Sequence, residues 1–280
     1  MTKVAKKVTK KVAKKILLID AGNSRLKWSS LEDSHLSAQI AITYAGASPI
    51  DCYSELLKTA QKDHDKIVLV SVLGKKFCDV ARQRANELGF EFSPITSVKQ
   101  LDELENAYQE PGKLGADRFV AMFAAYSQMM QEGKAKNNTI VIDCGTAVTI
   151  DAISANGKHL GGLILPGQDL CKNSLLKGTR QLDLSANENT KALLANNTSQ
   201  AILSGGLYGI SGAIQHICSS IEKQFFAENE QQNTTKIVCG GGAEALLSQL
   251  ASDYHYQPNL VMQGLQLIAE NHLHLWKKNN

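Results

Sequence analysis

Along the chain, short runs of β-branched and aliphatic residues alternate with segments whose apolar positions recur every three or four residues, a pattern of α/β layers around a sheet. Residues 16–19 read as a buried strand and 25–31 as its return. Further strands are expected at 38–44 and 67–73, with helices at 50–60 and 75–88. In 116–131, Phe119, Val120, Phe123, Ala124 and Met130 fall near helical spacing, and Gly133, Asn137 and Asn138 supply the stop. A domain boundary is expected there, dividing 16–137 from 138–280. The aliphatic run 161–167 reads as a core strand ended by Pro166.

The second half opens as the first does. LLIDAGNSRLKW (17–28) and IVIDCGTAVTID (140–151) each place an apolar strand before Asp-x-Gly-(Asn/Thr) and a second strand, with Asp20 and Asp143 lying 123 positions apart. The strand at 67–73 and its helix are echoed by Ile237 and Val238, the glycines 240–242 and a helix over 243–250. Such self-similarity predicts two related α/β lobes facing one another, with a cleft between them as the place for a ligand.

Within the first repeat, Gly22 allows a tight turn that can approach a ligand, and Asn23 and Ser24 offer donors to phosphate oxygens. Asp20 is suited to orienting a hydrated magnesium ion, and Lys27 adds positive charge. An ordinary hairpin turn has the same composition. The second copy, with Asp143, Gly145, Thr146 and Thr149, makes a polyphosphate grip from both lobes the sharper reading. Neither GxxxxGK[ST] nor GxGxxG occurs, so P-loop and Rossmann readings lose their support. Gly240, Gly241 and Gly242 form a turn before a helix, where a nucleotide base or ribose could pack against bare backbone, or where no ligand binds at all. In YQEPGKLGADRF (108–119), a loop leads into a helix start that presents Asp117 and Arg118. They read either as a cap with a surface ion pair or as a reacting centre. In the second case Asp117 accepts the proton of an attacking hydroxyl and Arg118 balances substrate or phosphoryl charge.

Charge changes the picture at one end only. Seven lysines and no acid occupy residues 1–15, so the other 265 residues carry 23 basic against 27 acidic side chains and the body is mildly acidic. The tail reads as a disordered basic arm, with no specific nucleic-acid partner expected. It has neither the apolar core of a signal peptide nor the arginines of a transit peptide. Six scattered cysteines without a CxxC pair fit a reducing cytoplasm, and no apolar run is long enough to span a bilayer. Cys144 is expected to be a small core residue. The seven histidines show no zinc spacing, and His272 and His274 beside Trp276 read as a frayed C-terminal face.

DAGNSRLKW, YQEPGKLGADRF, DCGTAVTID, GGLILPG and NNTSQAI, in that order, resemble type III pantothenate kinases, members of the acetate kinase, sugar kinase, Hsp70 and actin superfamily. The match runs from about Ile16 to the C-terminal helix. It implies two actin-like (ribonuclease H-like) lobes and ATP-dependent phosphorylation of pantothenate, the first step towards coenzyme A. It also implies a homodimer that uses magnesium and a monovalent cation, potassium or ammonium. Carried over by position, Asp20, Ala21, Gly22, Asn23, Ser24, Arg25, Leu26 and Lys27 would hold the ATP phosphates, joined by Thr146. Asp143 would be the potassium ligand. Tyr108, Gly115, Ala116, Asp117, Arg118 and Thr198 would contact pantothenate, with Asp117 as general base and some contacts crossing the dimer.

The sequence departs from the family pattern in places. Ser24 stands where threonine is usual and Phe119 where tryptophan is common; both keep the relevant chemistry. Residues 179–183 depart from Thr-Ala-x-Leu-Pro, and Gly242 stands where aspartate is frequent, which bears on the nucleotide edge of the site. The alternative function is a nucleotide-binding regulatory accessory protein with little turnover. An actin-like or Hsp70-like ATPase is disfavoured because 280 residues leave little room for their insertions.

Overall fold

A computed structural model describes residues 15–133, 137–178, 192–227 and 233–279. The basic tail before Lys15 and the departure at 179–183 lie outside the described residues.

The repeated hairpins nucleate two sheets of the same order. In the first, β1 (Ile16–Ala21) pairs antiparallel with β2 (Arg25–Glu32) and parallel with β5 (Lys66–Ser71), which pairs parallel with β6 (Glu91–Ile95). The short β3 (His35–Leu36) and β4 (Ile40–Thr43) both pair with β2. Helices α1 (Pro49–Ala60) and α2 (Lys75–Glu87) pack together over its outer face, burying Tyr53, Leu57, Phe77 and Ala81 against Leu17, Ile19 and Leu69. These apolar positions of β1 and β5 alternate with Leu18, Val68 and Val70, which face the other way into a second cluster, so both faces of the parallel strands are covered.

The two strands β7 (Gln100–Leu101) and β8 (Leu104–Glu105) form a small ribbon before α3 (Ala116–Gln131), whose predicted limits are met. Helix α3 touches β5 on one side and β9 (Asn138–Cys144) and β10 (Ala147–Ile153) on the other. Every residue from Arg118 to Tyr126 is therefore buried. A helix apolar on all sides belongs between layers, and this placement brings its N-terminus to the gap between the sheets.

The second sheet runs β11 (His159–Pro166), β10, β9, β12 (Thr234–Cys239), β13 (Tyr254–Tyr256), with the same change from antiparallel to parallel pairing. Its outer face is covered by α5 (Thr198–Ile221) and α6 (Ala243–Leu247), while α4 (Gln168–Gly178) packs on α5. The C-terminal helix α7 (Leu260–Leu267) crosses back to pack on α3 and β1.

Two expectations fail. The 161–167 run is not a core strand: β11 is an edge, with Leu163 44% and Ile164 65% exposed. Its aliphatic composition cannot distinguish a buried strand from an apolar face left open. The C-terminal face is not frayed. Trp276 is 4% exposed and donates from Nε1 to the Thr96 carbonyl (3.1 Å), while His272 Nε2 lies 3.1 Å from Asp102 and its ring meets Phe123 edge-on. Cys144 is buried as expected, and burial pushes its thiol up to about 12, so it is unreactive as a nucleophile.

Candidate active site

The turn of each hairpin closes through one glycine amide: Gly22 donates to the Arg25 carbonyl (3.1 Å) and Gly145 to that of Ala147 (3.0 Å). The second turn is one residue shorter, so Asp20 pairs with Lys27 across its hairpin and Asp143 with Thr149 across the other. Ala21 and Leu26 point into the core and contribute backbone alone, whereas Asn23, Ser24 and Arg25 are exposed around the tip. The tips meet. Ser24 Oγ and Thr146 Oγ1 are 2.8 Å apart, and a Cβ on Gly241 would run into the Arg25 guanidinium.

Gly240, at φ +90°, lets the chain turn beside Asp143, where a Cβ would strike the Asp143 carboxylate and the Cys144 carbonyl. That carbonyl accepts the Gly242 amide at 2.7 Å, which draws the glycine run against the second hairpin.

Three carboxylates and one ammonium sense each other in the cleft. Lys27 Nζ binds Asp20 Oδ2 at 3.1 Å. Burial works to lower the Lys27 pKa, but Asp20 and Asp143 outweigh it and hold the ammonium above its usual range. Burial pushes Asp143 up to about 6, against the pull of Lys27 and with a further push from Asp117 and Asp20. Asp117 is also raised, by burial and then by Asp20, despite accepting the Arg118 amide on Oδ1 at 2.8 Å. Like charges gathered in a partly closed site make stronger bases and attract cations. Among the described residues no three acidic, histidine or cysteine side chains converge closely enough to enclose a metal. The donor set fits an ion held by one or two carboxylates, waters and substrate phosphates, as magnesium prefers.

Arg118 is not at the surface. Its Nε and Nη2 grip Asp151 at 2.9 and 2.6 Å, its Nη1 reaches the Tyr108 hydroxyl at 3.2 Å, and the side chain is 6% exposed. Gly115 caps α3 and Ala116 begins it, which leaves Asp117 and Arg118 on the first turn. Thr198, by contrast, begins α5 behind its Asn197 cap and lines an apolar groove of about 390 Å³ between α4 and α5. No hydrogen bond links it to the Asp117 centre among the described residues.

Sequence reasoning passed over several supports. Tyr44 donates its hydroxyl to the Gly22 carbonyl (3.0 Å), bracing the first tip, and burial pushes it up to about 12. Asn106, 1% exposed, holds the Tyr108 loop through the Tyr108 amide and the Val98 and Pro111 carbonyls. Asp151 and His159 lie behind Arg118 and Tyr108. Asp151 stands at the end of the quoted repeat, six residues past the turn glycine, and an acid at the inner end of a buried strand was the available signal.

The two sheets of matching order around a cleft are those of the actin-like ATPases. MreB5 of Spiroplasma citri bound to ADP aligns over 95% of this chain and 99% of its own, with TM-score 0.51 and 11% identity. A conserved putative Baf family transcriptional activator from Campylobacter jejuni aligns with TM-score 0.58 and 23% identity over 91% and 98% of the two chains. Within that fold, residues 16–220 match the type III pantothenate kinase model. The type III pantothenate kinase of Nitrosococcus oceani is 32% identical over 261 residues, 91% of this chain and 94% of that one. That of a Polaromonas species is 33% identical, over 90% and 96%. The chain belongs to the type III pantothenate kinase family.

Proposed function

We propose that the protein transfers the terminal phosphoryl group of ATP to the primary alcohol of pantothenate, giving 4′-phosphopantothenate and ADP at the entry to coenzyme A synthesis. The observation that carries this reading is the meeting of the two hairpin tips, together with the electrostatic coupling of Asp117 to Lys27, Asp20 and Asp143 at the base of those hairpins. The amides and hydroxyls of residues 22–24 and Thr146 hold the phosphate chain from opposite sides, and Lys27 offsets its charge. Asp117, its basicity raised by burial, accepts the hydroxyl proton as the alcohol oxygen bonds to the γ-phosphorus and the bond to the bridging oxygen breaks, releasing ADP. Asp20, with waters and the phosphates, would hold a magnesium ion, which would neutralise phosphate charge. Asp143 would be the ligand of the monovalent cation, potassium or ammonium.

Tyr108 and Arg118 face the acceptor. Thr198 joins them from the α5 side in a homodimer whose contact uses the apolar groove and the exposed Leu163 and Ile164. No helix among the described residues is long and apolar enough to cross a membrane, which suits a cytoplasmic enzyme.

The test is ADP release from ATP, magnesium and pantothenate, omitting each in turn, with and without potassium. Asp117→Asn should still bind both substrates while kcat falls by about 10²- to 10⁴-fold. Phosphorylation at the wild-type rate by Asp117→Asn would remove the base from its assignment, and nucleotide binding without turnover by the wild type would favour a regulatory protein.

A further inference from the structure

Behind Arg118 and Tyr108, the second lobe supplies two buried polar residues that the chemistry above leaves unused. His159 is 0% exposed and Asp151 1%. The Ala107 amide points at His159 Nδ1 (3.4 Å), so that nitrogen is the acceptor; the ring proton sits on Nε2 and is donated to Asp151 Oδ1 at 3.0 Å. Asp151 therefore receives three donors, one from His159 and two from Arg118.

The Tyr108 ring lies 12° from parallel to the His159 imidazole, with centroids 6.2 Å apart, and the Tyr108 hydroxyl accepts from Arg118 Nη1. The contacts form a closed circuit, His159 to Asp151 to Arg118 to Tyr108 and back. It spans both lobes and is reinforced by the Glu105 amide donating to the Gly157 carbonyl at 2.9 Å.

A buried Arg–Asp pair adds little net stability over apolar packing, but it fixes one orientation of the guanidinium. Three of the five Arg118 N–H groups are committed to these bonds, which leaves two to meet an anionic ligand. Gly162 completes the fit, since a Cβ there would overlap both Asp151 Oδ1 and Arg118 Nη2.

We propose that Asp151 and His159 are positioning residues that set Arg118 and Tyr108 for the acceptor, so that their loss weakens acceptor binding while nucleotide binding stays in place. The proposal rests on the reading that Arg118 and Tyr108 contact pantothenate, and its test separates the two.

Wild type, Arg118→Gln, Asp151→Asn, His159→Leu and His159→Gln are assayed for ADP release over ranges of pantothenate and of ATP concentration. His159→Leu and Asp151→Asn should raise KM for pantothenate about tenfold or more and keep KM for ATP within about twofold. His159→Gln, whose amide can still donate to Asp151, should recover most of the difference. Thermal melts read folding separately, and if His159→Leu does not fold, the same KM split is read on His159→Asn, whose shorter amide cannot span from Asp151 to Ala107. Equal rises in KM for pantothenate and for ATP, a fall in kcat alone, or an unchanged pantothenate KM in the Asp151 and His159 variants would overturn the positioning role while Arg118→Gln still raised that KM. An unchanged pantothenate KM in Arg118→Gln would overturn the acceptor-site reading itself.

Discussion

Replacing Asp143 by asparagine should make the folded protein more stable at neutral pH while impairing its activity. In the fold this carboxyl is shifted from 3.8 to about 6, chiefly by burial. The folded state thus binds the proton more tightly than the unfolded chain does, and ionising it at neutral pH opposes folding. The shift corresponds to about 3 kcal/mol at ~1.36 kcal/mol per pK unit. Because Asp143 is only half-buried by solvent exposure, screening from the open side of the cleft should reduce this to about 1–2 kcal/mol. The penalty is absent below the unfolded value of 3.8, grows as pH rises, and is complete above about 6. Asp143→Asn carries no such charge, so its advantage should be largest at pH 7.5 and shrink towards pH 4.5. Thermal unfolding in buffer free of potassium and magnesium should give a melting temperature higher by about 2–4 °C at pH 7.5. An asparagine variant that is no more stable than wild type at pH 7.5, or whose advantage does not vary with pH, would refute the reasoning.

Lys27→Met removes a charge that lowers both Asp143 and Asp117. Activity should fall as pH drops through the range where Asp117 and Asp143 protonate, and in this variant from a higher pH, the acid limb of kcat/KM moving up by about 1 unit or more. Gly162→Ala should wedge apart Arg118 and Asp151, costing about 1–3 kcal/mol in denaturant titration and raising KM for pantothenate above that for ATP. If the proposed homodimer uses Leu163 and Ile164, then Leu163→Asp combined with Ile164→Asp, at side chains exposed in the single chain, should sediment as a monomer in analytical ultracentrifugation where the parent protein sediments as a dimer, with the melting transition of the lobes left in place.

Much of the scaffold was legible because it is local. Asp20 and Gly22 in one repeat and Asp143 and Gly145 in the other announced two hairpins, and the structure gives both the same strand order. Helix α3 follows from the spacing of Phe119, Val120 and Phe123. What escaped depends on partners far along the chain. Arg118 could be read as a surface partner of Asp117 because nothing in 116–131 announces Asp151, 33 residues on. His159 looked unremarkable without metal spacing, yet it is the most enclosed polar group behind the site. The 161–167 run is apolar enough for a core, and only the sheet order reveals that it is an edge. Trp276 read as part of a frayed face because its partner, Thr96, lies 180 residues away.

The return of α7 to α3 and β1 has a bearing on how the chain matures. Leu260, Leu265, Ile268 and Trp276 share one cluster with Leu18, Val68 and Val70, so the inner face of the first sheet is sealed by residues made long after it. During synthesis that face waits uncovered while the second sheet and its helices emerge. Emergence of α7, and not completion of the first sheet, is then the step at which this face becomes protected from aggregation.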